Sequence, residues 1–107
     1  MHCNQNFMNL LTICRKAGKV IPGFDSVKEC LEQHTAKVVL ISADLSPKTA
    51  KEVAFFCQRY QVPLQETDLT MDQIRQAIGR KTGVLAICDA GFARGLCSRM
   101  EPEHPIL

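Results

Sequence analysis

Two short stretches carry residues whose types and spacing could do chemistry. The first, Ile21-Pro22-Gly23-Phe24-Asp25-Ser26, runs into a helical pattern. A helix N-terminus offers free backbone N–H groups and the positive end of the dipole, so it can hold a phosphate. Gly23 would let a ligand's backbone come close. The same residues also suit a plain turn at Gly23 and a helix capped by Asp25 or Ser26, and the Asp25 carboxylate opposes phosphate. The second stretch is Gly79-Arg80-Lys81-Thr82-Gly83. Two glycines bracket two cations and a hydroxyl. Such a loop could wrap a phosphate backbone or lie against bases, with Arg80 stacking or hydrogen bonding. A solvated helix C-cap with two exposed cations accounts for it equally well. Lys28 and Lys37 lie between the stretches, and each reads most simply as a solvated surface lysine. Sharing one rim, the two loops and a flanking lysine would make an RNA footprint, because phosphate contacts dominate affinity.

Other chemistry finds little support. Asp44 follows the apolar run Val38 to Ile41, as a phosphoacceptor would, but no carboxylate precedes Asp25 to hold the Mg²⁺ such a site needs. Asp44 reads better as a turn residue or as a cap on the helix that begins at Ser46. No G-x-G-x-x-G, G-x-x-x-x-G-K-[ST] or G-x-S-x-G pattern occurs. His2 and His104 fall in terminal segments, His34 follows a helix, and no Cys–His pair is singled out. Cys3, Cys14, Cys30, Cys57, Cys88 and Cys97 form no C-x-x-C pair, and no His cluster accompanies them. Cys14, Cys30, Cys57 and Cys88 fall on apolar stripes, where a reduced thiol acts as a small core hydrophobe. The expectation is buried thiols with no metal and no cofactor.

The elements that must position the two loops alternate between helix-like and strand-like patterns. Phe7, Leu10, Leu11 and Cys14 recur at helical spacing, and Ala17-Gly18-Lys19 supplies a stop. Val20 to Gly23 is a short extended piece. Ser26-Val27-Lys28-Glu29 has the form of a capping box, predicting a helix from Asp25 or Ser26 with Val27, Cys30 and Leu31 inward. Lys37 to Ser42 is a strand whose continuous apolar run implies cover on both faces. Ser46-Pro47 opens a helix to about Tyr60, with Ala50, Val53, Ala54 and Cys57 inward. Val62 to Gln65 is a strand that its proline places at an edge. Thr70 to Gln73 is a second capping box, and Gly79 ends the helix it opens. Val84 to Cys88 is the last strand, and Phe92 to Met100 the last helix. This order predicts an α/β fold, a three-layer sandwich of helices around a small mixed sheet of about four strands.

The chain has 107 residues, 46% hydrophobic and 22% charged, which suits one globular domain rather than a disordered segment. Residues 1–100 read as that domain and 101–107 as a tail. No apolar run approaches the roughly 20 residues of a membrane span, and Met1 to Asn9 lacks the basic flank and apolar stretch of a secretory signal. A cytoplasmic location without a membrane partner is expected. The net charge of +2 is too small to argue for nucleic acid by itself, but Arg15, Lys16 and Lys19 precede every acid, and Glu101 and Glu103 sit in the tail.

Arg15-Lys16-Ala17-Gly18-Lys19, Gly23, Ala36 to Ile41, Ala43-Asp44, Cys57, Val62-Pro63 and Ile78-Gly79 form an ordered series. With Gly79 to Val84 and Asp89-Ala90-Gly91-Phe92-Ala93, it resembles the bacterial YlxQ-type branch of the kink-turn-binding ribosomal protein superfamily, from about Phe7 to Leu96. The resemblance implies an α-β-α sandwich that binds structured RNA, kink-turn-like or ribosomal, without catalysis and with possible ribosome association. In that family a Gly-x-Asn-Glu element at a helix start reads tandem sheared G·A pairs, and a loop before the last strand covers the flipped-out nucleotide. The matching positions are Gly23-Phe24-Asp25-Ser26 and Arg80-Lys81-Thr82-Gly83-Val84, with Lys37 matching a lysine at the start of the central strand. Asp25 stands where the family has Asn, Ser26 where it has Glu, and Glu29 where it has a lysine. Asp only accepts hydrogen bonds where Asn also donates, and Ser26 lacks a carboxylate's charge and reach. Losing one charge-assisted contact weakens binding by roughly 1.5–3 kcal/mol. The alternative is a protein-interaction module that kept the fold and lost RNA binding.

Overall fold

The computed structural model describes residues 2–3 and 5–101. The elements run β1 (His2–Cys3), α1 (Gln5–Lys16), β2 (Val20–Pro22), α2 (Phe24–Glu32), β3 (Val38–Ile41), α3 (Pro47–Arg59), β4 (Leu64–Glu66), α4 (Met71–Ile78), β5 (Val84–Ile87), α5 (Ala90–Ser98) and β6 (Met100–Glu101). Glu101, expected in a tail, lies in β6. Residues 102–107, with Glu103 and His104, lie outside the described residues.

The main sheet has the order β2-β5-β3-β4. β5 is antiparallel to both β2 and β3, while β3 and β4 are parallel, so the sheet is mixed as expected. Alternation along the two central strands builds two cores. Val38, Leu40, Leu85 and Ile87 face α1, α4 and α5 through Phe7, Leu11, Ile74, Ile78 and Leu96. Val39, Ile41, Val84 and Ala86 face α2 and α3 through Val27, Leu31, Val53 and Cys57. Every residue of β3 and β5 is buried, which is why both read as unbroken apolar runs. Each large aliphatic side chain so buried contributes roughly 1.5–3 kcal/mol against exposure.

The ends of the helices follow local chemistry. The Ser46 hydroxyl accepts from the Thr49 N–H, and Pro47 sits in the first turn of α3. Thr70 and Gln73 close a reciprocal capping box on α4, and Gly79 ends that helix in the left-handed conformation at φ 78°. All six cysteines are free thiols, with Cys3, Cys14 and Cys57 buried and Cys30, Cys88 and Cys97 half-buried.

Several expectations need correction. The Ser26–Glu29 capping box does not form, because α2 begins two residues earlier at Phe24. Gly23 is the residue that caps it, at φ 97° and ψ 143°, and Ser26 lies inside the first turn. That backbone suits glycine, and the earlier start lets Phe24 pack on Phe56 with ring centroids 6.3 Å apart. Ala54 is exposed, and Phe56 packs on the core instead, because the inner stripe of α3 runs through Val53, Phe56 and Cys57. β4 begins at Leu64 rather than Val62, although it is the edge strand. α5 starts at Ala90 rather than Phe92, because the Asp89 carboxylate accepts from the Phe92 N–H at 2.8 Å. Met100 leaves the helix to pair with Cys3, so β1 and β6 form a separate two-stranded sheet. No helix of the described residues is long and apolar enough to cross a membrane.

Candidate nucleic-acid interface

The two loops singled out in the sequence meet at one end of the sheet. β2 delivers Gly23 beside the start of β5, and the Gly23 N–H donates to the Val84 carbonyl at 2.9 Å. The Thr82 hydroxyl donates to the same carbonyl at 3.0 Å, and accepts from the Val84 N–H at 3.2 Å. Val84 is thus the stitch between the loops. Across the strand end, the Ser42 N–H donates to the Gly83 carbonyl at 2.9 Å.

Arg80 joins the loops through its side chain. A Cβ placed on Gly23 would lie 3.3 Å from the Arg80 Nη2, so the guanidinium rests against the face that glycine leaves open. Asp25 and Ser26 are exposed beside it. The N–H groups of Phe24, Asp25 and Ser26 begin the helix with no preceding turn to accept from them. They and the positive end of the α2 dipole favour an acceptor or anion, and the Asp25 carboxylate in that turn offsets part of this.

Other members divide. Lys81 is exposed and reaches the Asp72 carboxylate at 3.5 Å, a solvent-screened pair that a phosphate can displace at little cost. Gly83 and Val84 are buried. Any Cβ on Gly83 would approach the Leu45 Cδ1 to 2.7 Å and the Met71 Cε to 2.9 Å, and the Val84 side chain is part of the α2–α3 core. These two residues shape the loop rather than present side chains to a ligand. Lys28, one turn into α2, holds its ammonium 4.8 Å from the Phe56 ring centroid, on the flank towards α3. Lys37 is not on this rim. Its N–H donates to the Ile87 carbonyl, at the far end of β5 from Val84. The register Val38 with Ile87 and Ile41 with Val84 separates Lys37 from the loops by the length of β3, roughly 13 Å at 3.3 Å per residue.

Asp44 also has a partner the sequence did not suggest. It lies in the turn after β3, as expected, and Ser46 rather than Asp44 caps α3. Its carboxylate accepts from the Met71 N–H at 3.1 and 3.4 Å, tying the start of α4 to the end of β3. A residue missing from the sequence-based site is Arg15. It belongs to α1, but a Cβ on Gly79 would lie 3.0 Å from its Nη2, beside Arg80. Its only signal was the cationic run Arg15-Lys16 before any acid in the chain. Among the described residues, no three or more His, Cys, Asp or Glu side chains gather where they could hold a metal ion.

The model of the ribosomal protein L7Ae/L30e/S12e/Gadd45 family matches residues 5–96. RNA-binding protein YlxQ of Bacillus subtilis is 35% identical over 97 residues, covering 86% of this chain and 92% of that protein. RNA-binding protein YlxQ of Enterococcus faecium is 34% identical over 90 residues, covering 84% and 86% respectively. A solved structure of a protein with unknown function from Bacillus halodurans C superposes with a TM-score of 0.83 at 25% identity, covering 90% of this chain and 97% of that one.

Proposed function

The chain belongs to the ribosomal protein L7Ae/L30e/S12e/Gadd45 family, and on that premise we propose that it binds structured RNA in the cytoplasm, without catalysing a reaction. The RNA is of the kink-turn-like or ribosomal kind. The first turn of α2 enters its widened groove, and Arg80 and Lys81 close over the strand beside it. Thr82, Gly83 and Val84 hold that loop in shape through their backbone bonds and packing. The observation that carries this reading is the meeting of the two loops, with the Arg80 guanidinium against Gly23 and the Gly23 N–H on the Val84 carbonyl. Sharp bends bring RNA phosphates close together, and a rim with helix N–H groups and two exposed cations suits such a shape. The curated relatives named RNA-binding proteins support the same class of partner.

The test titrates a kink-turn RNA and a fully paired duplex of equal length at several salt concentrations. The kink-turn should bind more tightly. Replacing Arg80 and Lys81 together with Ala should weaken that binding at least tenfold and lower the slope of log K against log salt by about two. Unchanged affinity and slope would remove the second loop from the interface. The exposed Asp25 and Glu29 carboxylates favour a second reading, a protein-binding module. Partners captured from cells separate the readings, since those of an RNA-binding protein disappear after ribonuclease digestion.

A further inference from the structure

We propose that the cleft between the last turn of α1 and the Gly79–Arg80 turn is a second phosphate site, in which Arg15 and Arg80 clamp one phosphodiester of the bound RNA. The inference rests on the RNA-binding reading and extends the interface onto α1, a helix that neither loop includes. The cleft measures about 320 Å³ and is lined by Arg15, Val20, Pro22, Ile78, Gly79 and Arg80. No acid lines it. Two exposed guanidinium groups border an otherwise apolar surface, since Val20 and Pro22 are half-buried and Ile78 is buried.

Each guanidinium lies against the open face of a glycine. Nη2 of Arg15 would lie 3.0 Å from a Cβ on Gly79, and Nη2 of Arg80 would lie 3.3 Å from one on Gly23. Among the described residues neither arginine forms an ion pair, whereas Asp72 draws Arg75 and Lys81 to the other side of the turn. Two like charges bordering one cleft repel each other, and an anion between them relieves that repulsion. The planar fork of a guanidinium matches phosphate oxygens in a bidentate way. The negative end of the α1 dipole lies nearby and would oppose an anion. It is partly quenched, because the carbonyls of Ile13, Cys14 and Arg15 accept from the N–H groups of Ala17, Lys19 and Gly18.

The experiment uses the full chain and the kink-turn RNA of the previous titration. It compares wild type, Arg15→Ala, Arg15→Lys, Arg80→Ala, Arg15→Ala with Arg80→Ala, and Lys16→Ala as a neighbouring cation that does not line the cleft. Far-UV circular dichroism checks folding, which an exposed Arg15 should leave intact. The expected result is a loss of roughly tenfold for Arg15→Ala and a salt slope lower by about one. Arg15→Lys should recover only part of the loss, and the double variant should lose less than the product of the two single losses. Phosphate ethylation of the RNA should identify one position whose modification hinders wild type but not the Arg15→Ala variant. Arg15→Ala binding like wild type would overturn the clamp and leave the two-loop interface standing. Equal losses for Arg15→Ala and Lys16→Ala would reduce the effect to general charge and overturn it too. Failure of wild type to bind any structured RNA would overturn the functional reading itself.

Discussion

In the proposed interface, Asp25 is the residue expected to limit the affinity for RNA. It is exposed in the first turn of α2, within the loop pair that Arg80 closes. A carboxylate there helps the helix through its dipole but repels a phosphate and cannot donate to a base. Asp25→Asn should therefore tighten binding of the kink-turn RNA by several-fold to tenfold, read by titration at constant salt. Weaker or unaltered binding would mean that the carboxylate faces away from the RNA. The sequence singled out Asp25, Arg80 and Lys81 because their charge and their neighbouring glycines are local properties. It could not show that the Val84 side chain is buried, because that depends on which face of β5 it occupies. It missed Arg15, because nothing in the chain near residue 15 says that α1 ends beside Gly79.

At the scale of elements, α4 decides where Arg80 stands. Its N-terminus is fixed twice, by the Thr70–Gln73 capping box and by the Asp44 carboxylate on the Met71 N–H. Its C-terminus turns through Gly79 directly into the cationic loop. Thr70→Ala should cost about 1 kcal/mol, seen as a lower urea midpoint with an unchanged m-value. A loss below a few tenths would show that Asp44 alone suffices. The capping box was legible because its residues are three apart in sequence. The start of α2 was not, because Ser26 and Glu29 mimic a box while Gly23 and the Phe24–Phe56 packing set the true boundary. The same limit explains Asp44, whose partner is 27 residues away.

For the molecule as a whole, the three-layer architecture was legible from the alternation of patterns and from two strands apolar throughout. The common rim was only half legible: the sheet brings residues 23 and 80 together but sends Lys37 to the opposite end. The reduced core makes a global prediction. Burial pushes the Cys14 and Cys57 thiols up from 9.0 to about 11 and Cys3 up to about 12. Unfolding releases these protons once the pH passes the unfolded value, so the stabilisation is fully present below pH 9.0 and is lost as pH rises through about 11. Unfolding free energy from denaturant titration should fall across that window by about 1.4 kcal/mol per pH unit for each thiol involved. A flat profile from pH 9 to 11 would mean that these thiols ionise in the native state.

The β1–β6 pairing joins residues 2–3 to residues 100–101, and Cys3 also donates to the Asp68 carboxylate. During synthesis the first of these strands waits for the intervening residues, from 4 to 99, to emerge, several seconds at about 5–20 residues per second. The four-stranded body can assemble first, and the clasp shuts only once residues 100–101 have emerged. A growing polypeptide therefore spends its nascent life with the α1 end unlatched.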